Sequence, residues 1–277
     1  MKNITPGKWV LLGLFLLLAA QAVVLVDWLV LDSSFPWLSA WFFGTAVLAL
    51  LILVYRKQII NYSELKNLTN NGFAQVEALF YLHSRLQLRR ALPRMRSFGI
   101  SPDFANVVVD YVLKVRPEVI VECGGGISTL VNGYLLEQQG RGHVYALEHD
   151  ANFARQTLEE LQRHALTNWA TVIHAPLENF QLEGKDWKWY AAKGWKDLPG
   201  IDFLIVDGPP AFVQENARYP AFPLLLAKLN PGATVLVDDC IRPDDKHTVE
   251  KWVRDHPEWT VEWVQTEKLA AVLNRSF

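Results

Sequence analysis

Residues 119–130 read VIVECGGGISTL. An apolar run ends in Glu122 and Cys123, three glycines follow at 124–126, and Ile127-Ser128-Thr129 comes next. This is the composition of a parallel strand turning into a helix around a ligand. Glycines let the backbone approach the ligand, and the first helical amides point donors at it. Further acids close apolar runs downstream: Glu148 in VYALEHD, Asp207 in IDFLIVDGPP, and the pair Asp238-Asp239 in TVLVDDC. Carboxylates at strand ends can accept hydrogen bonds from ligand hydroxyls, take up a proton, or hold a hard divalent cation.

Three ligands compete for the glycine turn. A phosphate loop of the G-x-x-x-x-G-K-[ST] type is absent; Gly184-Lys185 is followed by Asp186 and lacks the upstream glycine. For a dinucleotide, Gly124 and Gly126 fill the first two places of G-x-G-x-x-G, but Thr129 stands third, where a small residue lets helix and strand pack closely. The Tyr-x-x-x-Lys pair of short-chain dehydrogenases is also missing, since Tyr190 and Lys193 are one residue too close. S-adenosylmethionine fits better. It carries no phosphate, and its cationic amino acid end, ribose and sulfonium each match an acid: Glu122 at the turn, Glu148 at the second strand end, and Asp207 at the fourth. Each acid alone also reads as a strand-end cap; three at these positions argue for a ligand.

The elements that must position these acids alternate. Ser101-Pro102-Asp103 opens a helix with one apolar face that ends by Pro117. Strands are predicted over 118–123, 143–148, 169–174, 201–207 and 233–238, and helices over 127–139, 152–164, most of 218–229, and 247–255. A Trp-rich stretch, 184–200, reads as a loop over the site, either an aromatic lid or acceptor wall or a loop packed on itself. Two last strands, 259–265 and 269–274, are joined too tightly for a parallel crossover. The expected fold is α/β: a doubly wound, mostly parallel Rossmann-like sheet with an antiparallel final strand. Near-continuous apolar strands such as FLIV and TVLV suit burial on both faces.

The first 57 residues differ. Trp9 to Leu31 and Phe35 to Tyr55 are apolar runs about long enough to cross a hydrocarbon core, with Trp9, Trp28, Trp37, Trp41 and Tyr55 towards their ends. The loop Asp32-Ser33-Ser34 has no basic residue, whereas Lys2 and Lys8 precede the first run and Arg56-Lys57 follow the second. The expectation is a transmembrane hairpin over 1–57, a helical linker over 58–100, and a catalytic domain over 101–277 on the cytoplasmic side of the inner membrane. A cleaved signal ending near Ala20-Gln21-Ala22 is the alternative for the first run. Arg85, Arg89, Arg90, Arg94 and Arg96 make the linker basic, as a solvated face or as a contact for anionic lipid. A net charge of −2 gives no footprint of nucleic-acid binding, and two cysteines, Cys123 and Cys240, in apolar runs suit buried thiols in a reduced compartment.

From about Phe80 to Asn274 the chain resembles the class I S-adenosylmethionine-dependent methyltransferases, and in particular a bacterial branch of that class without an assigned acceptor. The motifs carrying the resemblance are VIVECGGGIST, VYALEHD, VIHAPL, IDFLIVDGPP, RYPAFPLL and LNPGATVLVDDC. It implies a cofactor site of Glu122, Gly124, Gly125, Gly126, Ser128, Glu148, His149, Ala175, Pro176, Leu177 and Asp207. Within it Glu122, Gly124 and Gly126 line the methionine end, Glu148 binds ribose, and His174 to Leu177 lie by the adenine. Gly125 stands where many relatives have serine. Asp207 and Asp239 are the expected catalytic acids, with His149 a second possible base. Asp207, Asp238 and Asp239 are also similar to the magnesium-binding acids of catechol O-methyltransferase, although an Asp-Asp pair replaces the Asp-Asn pair there. The expected reaction is O-methylation of a small molecule, saccharide or lipid-linked acceptor. Arg218 is read either as binding an anionic acceptor or as structurally paired. A nucleotide-cofactor oxidoreductase and a non-catalytic membrane scaffold are the alternatives.

Overall fold

The computed structural model describes residues 36–95 and 99–275, and isolated positions between 13 and 26. The chain divides into two units, residues 1–70 and 71–277.

Helix α1 runs Pro36–Arg85, so nearly all of the second apolar run and the expected linker as far as Arg85 form one helix. Within it, Phe43–Arg85 contains a window of mean hydropathy 1.6 with none of that window buried. Leu48, Leu51, Leu53 and Ile59 are all more than half exposed. By length and composition this helix can cross a membrane. Most of the run Trp9 to Leu31 and all of the loop 32–34 lie outside the described residues, so of the expected hairpin only the second helix is described.

The second unit is built on a seven-stranded sheet of β1 (Val119–Cys123), β2 (His143–Glu148), β3 (Ala170–His174), β6 (Ile201–Val206), β7 (Leu229–Val237), β8 (Trp259–Val264) and β9 (Ala270–Arg275). The order is β3-β2-β1-β6-β7-β9-β8. The first five strands in that order are parallel; β9 is antiparallel to both neighbours. Helices α2 (Pro102–Val115), α3 (Ile127–Gln139), α4 (Ala151–Arg163), α5 (Ala221–Leu225) and α6 (Pro243–Asp255) complete the alternation. Successive strand residues feed opposite faces: Ile120, Phe203 and Ile205 join Val108, Leu130 and Leu135, whereas Val121, Leu204 and Val206 join Trp189, Phe222 and Trp252.

The Trp-rich stretch is not a loop. β4 (Leu177–Leu182) and β5 (Lys185–Tyr190) form an antiparallel hairpin closed by Glu183 and Gly184, both at positive φ. Trp187, Trp189 and Trp195 turn inward into the core and are no lid. The helix expected over 218–229 shrinks to α5 and one 3-10 turn, because Pro220 and Pro223 restrict it. Conversely, α6 begins at Pro243 rather than 247, with proline in the first turn beside Asp244 and Asp245. Two of the basic linker residues are tied into the domain: Arg85 pairs with Asp110, and Arg89 pairs with Glu137 and donates to the carbonyl of His164 at 2.6 Å. Arg96 lies outside the described residues.

Candidate active site

A cavity of about 570 Å³ opens at the carboxyl ends of β1, β2 and β6. It is lined by Gly124, Gly125, Gly126, Glu148, His149, Tyr190, Asp207 and Gly208, with Asp150, Phe153 and Phe212 among its other walls. Gly124 and Gly126 sit at φ +100° and +152°, where a side chain would be strained, and this keeps the floor of the turn bare. The Gly124 amide donates to Leu147 O at 2.9 Å, and the Gly125 amide to Glu148 Oε2 at 3.3 Å. Glu148 Oε1 accepts from the Asp150 amide at 2.9 Å and lies 2.9 Å from His149 Nδ1. Glu148 is thus fixed at the edge of the cavity.

Glu122 is elsewhere. It is fully buried beneath the turn, accepting from Thr129 Oγ1 at 2.5 Å and Asn132 Nδ2 at 2.6 Å, and does not line the cavity. Burial pushes its carboxyl up to about 7, against the hydrogen bonds from Thr129, Asn132 and Ser128. Thr129, which spoils the dinucleotide pattern, also accepts from the Gly126 amide at 3.0 Å, so Glu122 and Thr129 brace the turn from below. Ser128, Ala175, Pro176 and Leu177 likewise lie off the cavity wall. Tyr190, which belongs to the stretch expected as an aromatic lid or acceptor wall, does reach the cavity wall. Its hydroxyl is buried without a hydrogen-bond partner, and a Cβ on Gly208 would collide with it.

The acids after β6 and β7 converge: one carboxylate oxygen from each of Asp207, Asp238 and Asp239 lies within 4.8 Å of the others. Asp207 is 20% exposed and faces the cavity, whereas Asp239 and Asp238 are buried off it. Burial raises Asp207 to about 6, with Arg218 opposing and Asp239 adding to the rise. Asp238 is pushed up to about 8 by burial and by the neighbouring Asp207 and Asp239, and neither of its oxygens has a hydrogen-bond partner. A protonated Asp238 accounts for that, since a neutral acid costs far less to bury unpartnered than a carboxylate. Asp239 goes the other way. Burial would raise it, but Arg218, Lys268 and Arg242 outweigh burial and hold it below the usual range.

Arg218 lies in the middle of these acids and is 3% exposed. It donates through Nη2 to Asp207 Oδ1 at 2.8 Å and Asp239 Oδ2 at 2.7 Å, and through Nη1 to Asp238 O at 2.6 Å. Its Nε stands 3.7 Å from Asp245 Oδ1. Arg242 and Lys268 face Asp239 at 2.9 and 3.2 Å. A divalent cation needs these same carboxylate oxygens as ligands. Both oxygens of Asp239 and one of Asp207 already face cations, so the residues present do not fit a magnesium ion. Both cysteines are free, buried thiols; burial raises Cys240 to about 12 and Cys123 further, which leaves neither reactive.

Residues 121–240 match the family model of a methyltransferase domain. No curated protein matches the chain. Among solved structures, an O-methyltransferase from Bacillus cereus in complex with S-adenosylhomocysteine superposes with a TM-score of 0.51 at 16% identity, covering 73% of this chain and 90% of that one. An O-methyltransferase from Streptomyces achromogenes involved in tomaymycin synthesis, in complex with S-adenosylmethionine, gives 0.50 at 15% identity, covering 74% and 90%. A methyltransferase from Podospora anserina bound to S-adenosylhomocysteine gives 0.51 at 13%, covering 74% and 88%. At these identities the likeness is one of fold. The match over residues 121–240, on this fold and around this cavity, marks that stretch of the chain as a methyltransferase domain.

Proposed function

We propose that the chain is a membrane-anchored O-methyltransferase, with its catalytic domain on the cytoplasmic side of the inner membrane, acting on a small molecule, saccharide or lipid-linked acceptor. The observation that carries the reading of the site is the cavity that joins the glycine turn, Glu148 and Asp207 in one wall. When bound, S-adenosylmethionine supplies a methyl group on a cationic sulfonium, open to in-line attack. The chain's task is then to hold cofactor and nucleophile in line. Gly124 to Gly126 leave room for the cofactor's amino acid end, and Glu148 takes the ribose hydroxyls. Asp207 stands on the same wall with a carboxyl near the operating pH, suited to accept the proton of an acceptor hydroxyl. Support for the anchor comes from the exposed apolar helix and from Lys2, Lys8, Arg56 and Lys57 at the ends of the apolar runs.

Incubation of the full-length protein with methyl-tritiated cofactor and a bacterial membrane extract tests the proposal. Label in a base-stable methyl ether is the expected result. Label only on nitrogen or sulfur would contradict oxygen as the acceptor atom.

A further inference from the structure

The acids at the carboxyl ends of β6 and β7 are those a divalent cation would use, yet an arginine holds the space between them. One nitrogen of Arg218 bonds Asp207 and Asp239 at once, at 2.8 and 2.7 Å, so a cation already bridges these two oxygens. The guanidinium also gathers the main-chain oxygens of Asp207 at 3.0 Å and Asp238 at 2.6 Å, joining the ends of the two strands. Lys268 and Arg242 face the oxygens of Asp239. A metal bridging Asp207 and Asp239 through these oxygens would have to expel a buried, permanently charged side chain from its carboxylates, which is strongly unfavourable.

Taking the methyltransferase reading as given, we infer that Arg218 stands in for the divalent cation: it clamps the two strand ends, positions Asp207, and leaves the enzyme metal-independent. Arg218 is a positioning residue in this scheme. The acceptor O–H proton passes to the Asp207 carboxylate, the new C–O bond forms as the C–S bond breaks, and the sulfonium leaves as a neutral thioether. No metal polarises the oxygen.

The test is a titration of the full-length protein with Mn2+ alone, following the free ion by electron paramagnetic resonance, with S-adenosylmethionine binding measured on the same samples by calorimetry. Wild type is expected to show no saturable Mn2+ site at sub-millimolar ion and to bind the cofactor equally well in EDTA. Arg218→Ala is expected to acquire a Mn2+ site that a further Asp238→Asn removes. Saturable Mn2+ binding by wild type, abolished by Asp238→Asn, would overturn the inference, and this arm decides even where Arg218→Ala fails to fold. A folded Arg218→Ala that takes up no Mn2+ would overturn it as well. Cofactor binding separates the two claims: a wild type with no Mn2+ site that also binds no cofactor upholds the arginine assignment and sinks the methyltransferase reading.

Discussion

Each acid identified from its place at a strand end has its own environment, and those environments assign different tasks. Asp207 works as a base only when ionised, so the rate should fall as pH drops through about 6 and level off above it. Asp207→Asn should cut kcat roughly 100-fold or more, read from initial rates at saturating cofactor. Glu122 predicts a stability effect instead. Its folded pKa, about 7, lies above its ordinary 4.5, so between those values the folded state binds the extra proton. Stability from this group is therefore fully present below pH 4.5 and is lost as pH rises to 7. Glu122→Gln should flatten that part of a plot of Tm against pH; an unchanged slope would remove Glu122 as its source. The strand-end acids were legible because each closes a short apolar run, in VIVE, VYALE, IDFLIVD and TVLVDD, and several such acids fall on one sheet. That Glu122 points down under the turn was not legible, since the depth of a side chain at a strand end depends on the helix above it. Ser128, Thr129 and Asn132, just past Gly126, are the sequence trace of that bracing.

At the scale of elements, alternating strands and helices came through because each buried strand is short, apolar and punctuated. The hairpin β4–β5 was missed although its signal is present: KDWKWY alternates with period 2, and Glu183-Gly184 is a two-residue turn. Aromatic density masked the alternation and suggested a lid. Because Trp189 is fully buried, Trp189→Ala should cost about 3–5 kcal/mol of unfolding free energy in a denaturant melt; a surface lid would lose almost nothing. The turn after β6 carries a second prediction. A Cβ at position 208 would meet the Tyr190 hydroxyl and come within 3.1 Å of Cys123 O. Gly208→Ala should weaken cofactor binding, and adding Tyr190→Phe should recover part of the loss. No recovery would place the clash at the Cys123 carbonyl instead. The cations around the acids, Arg218, Arg242 and Lys268, come from separate segments, a convergence that no single motif announces.

For the whole molecule, the charge and hydropathy of the N-terminal region predict that the full-length chain stays with the membrane fraction after a high-pH wash, whereas a chain starting at residue 58 is released. Retention of the shortened chain would move the anchor elsewhere. The central claim is that one cavity, built from the glycine turn, Glu148 and Asp207, receives S-adenosylmethionine. Its most direct test is calorimetry of the full-length protein with S-adenosylmethionine, beside Glu148→Ala. The account predicts micromolar binding to wild type that Glu148→Ala abolishes; no binding to folded wild type, or equal affinity in the variant, would contradict it.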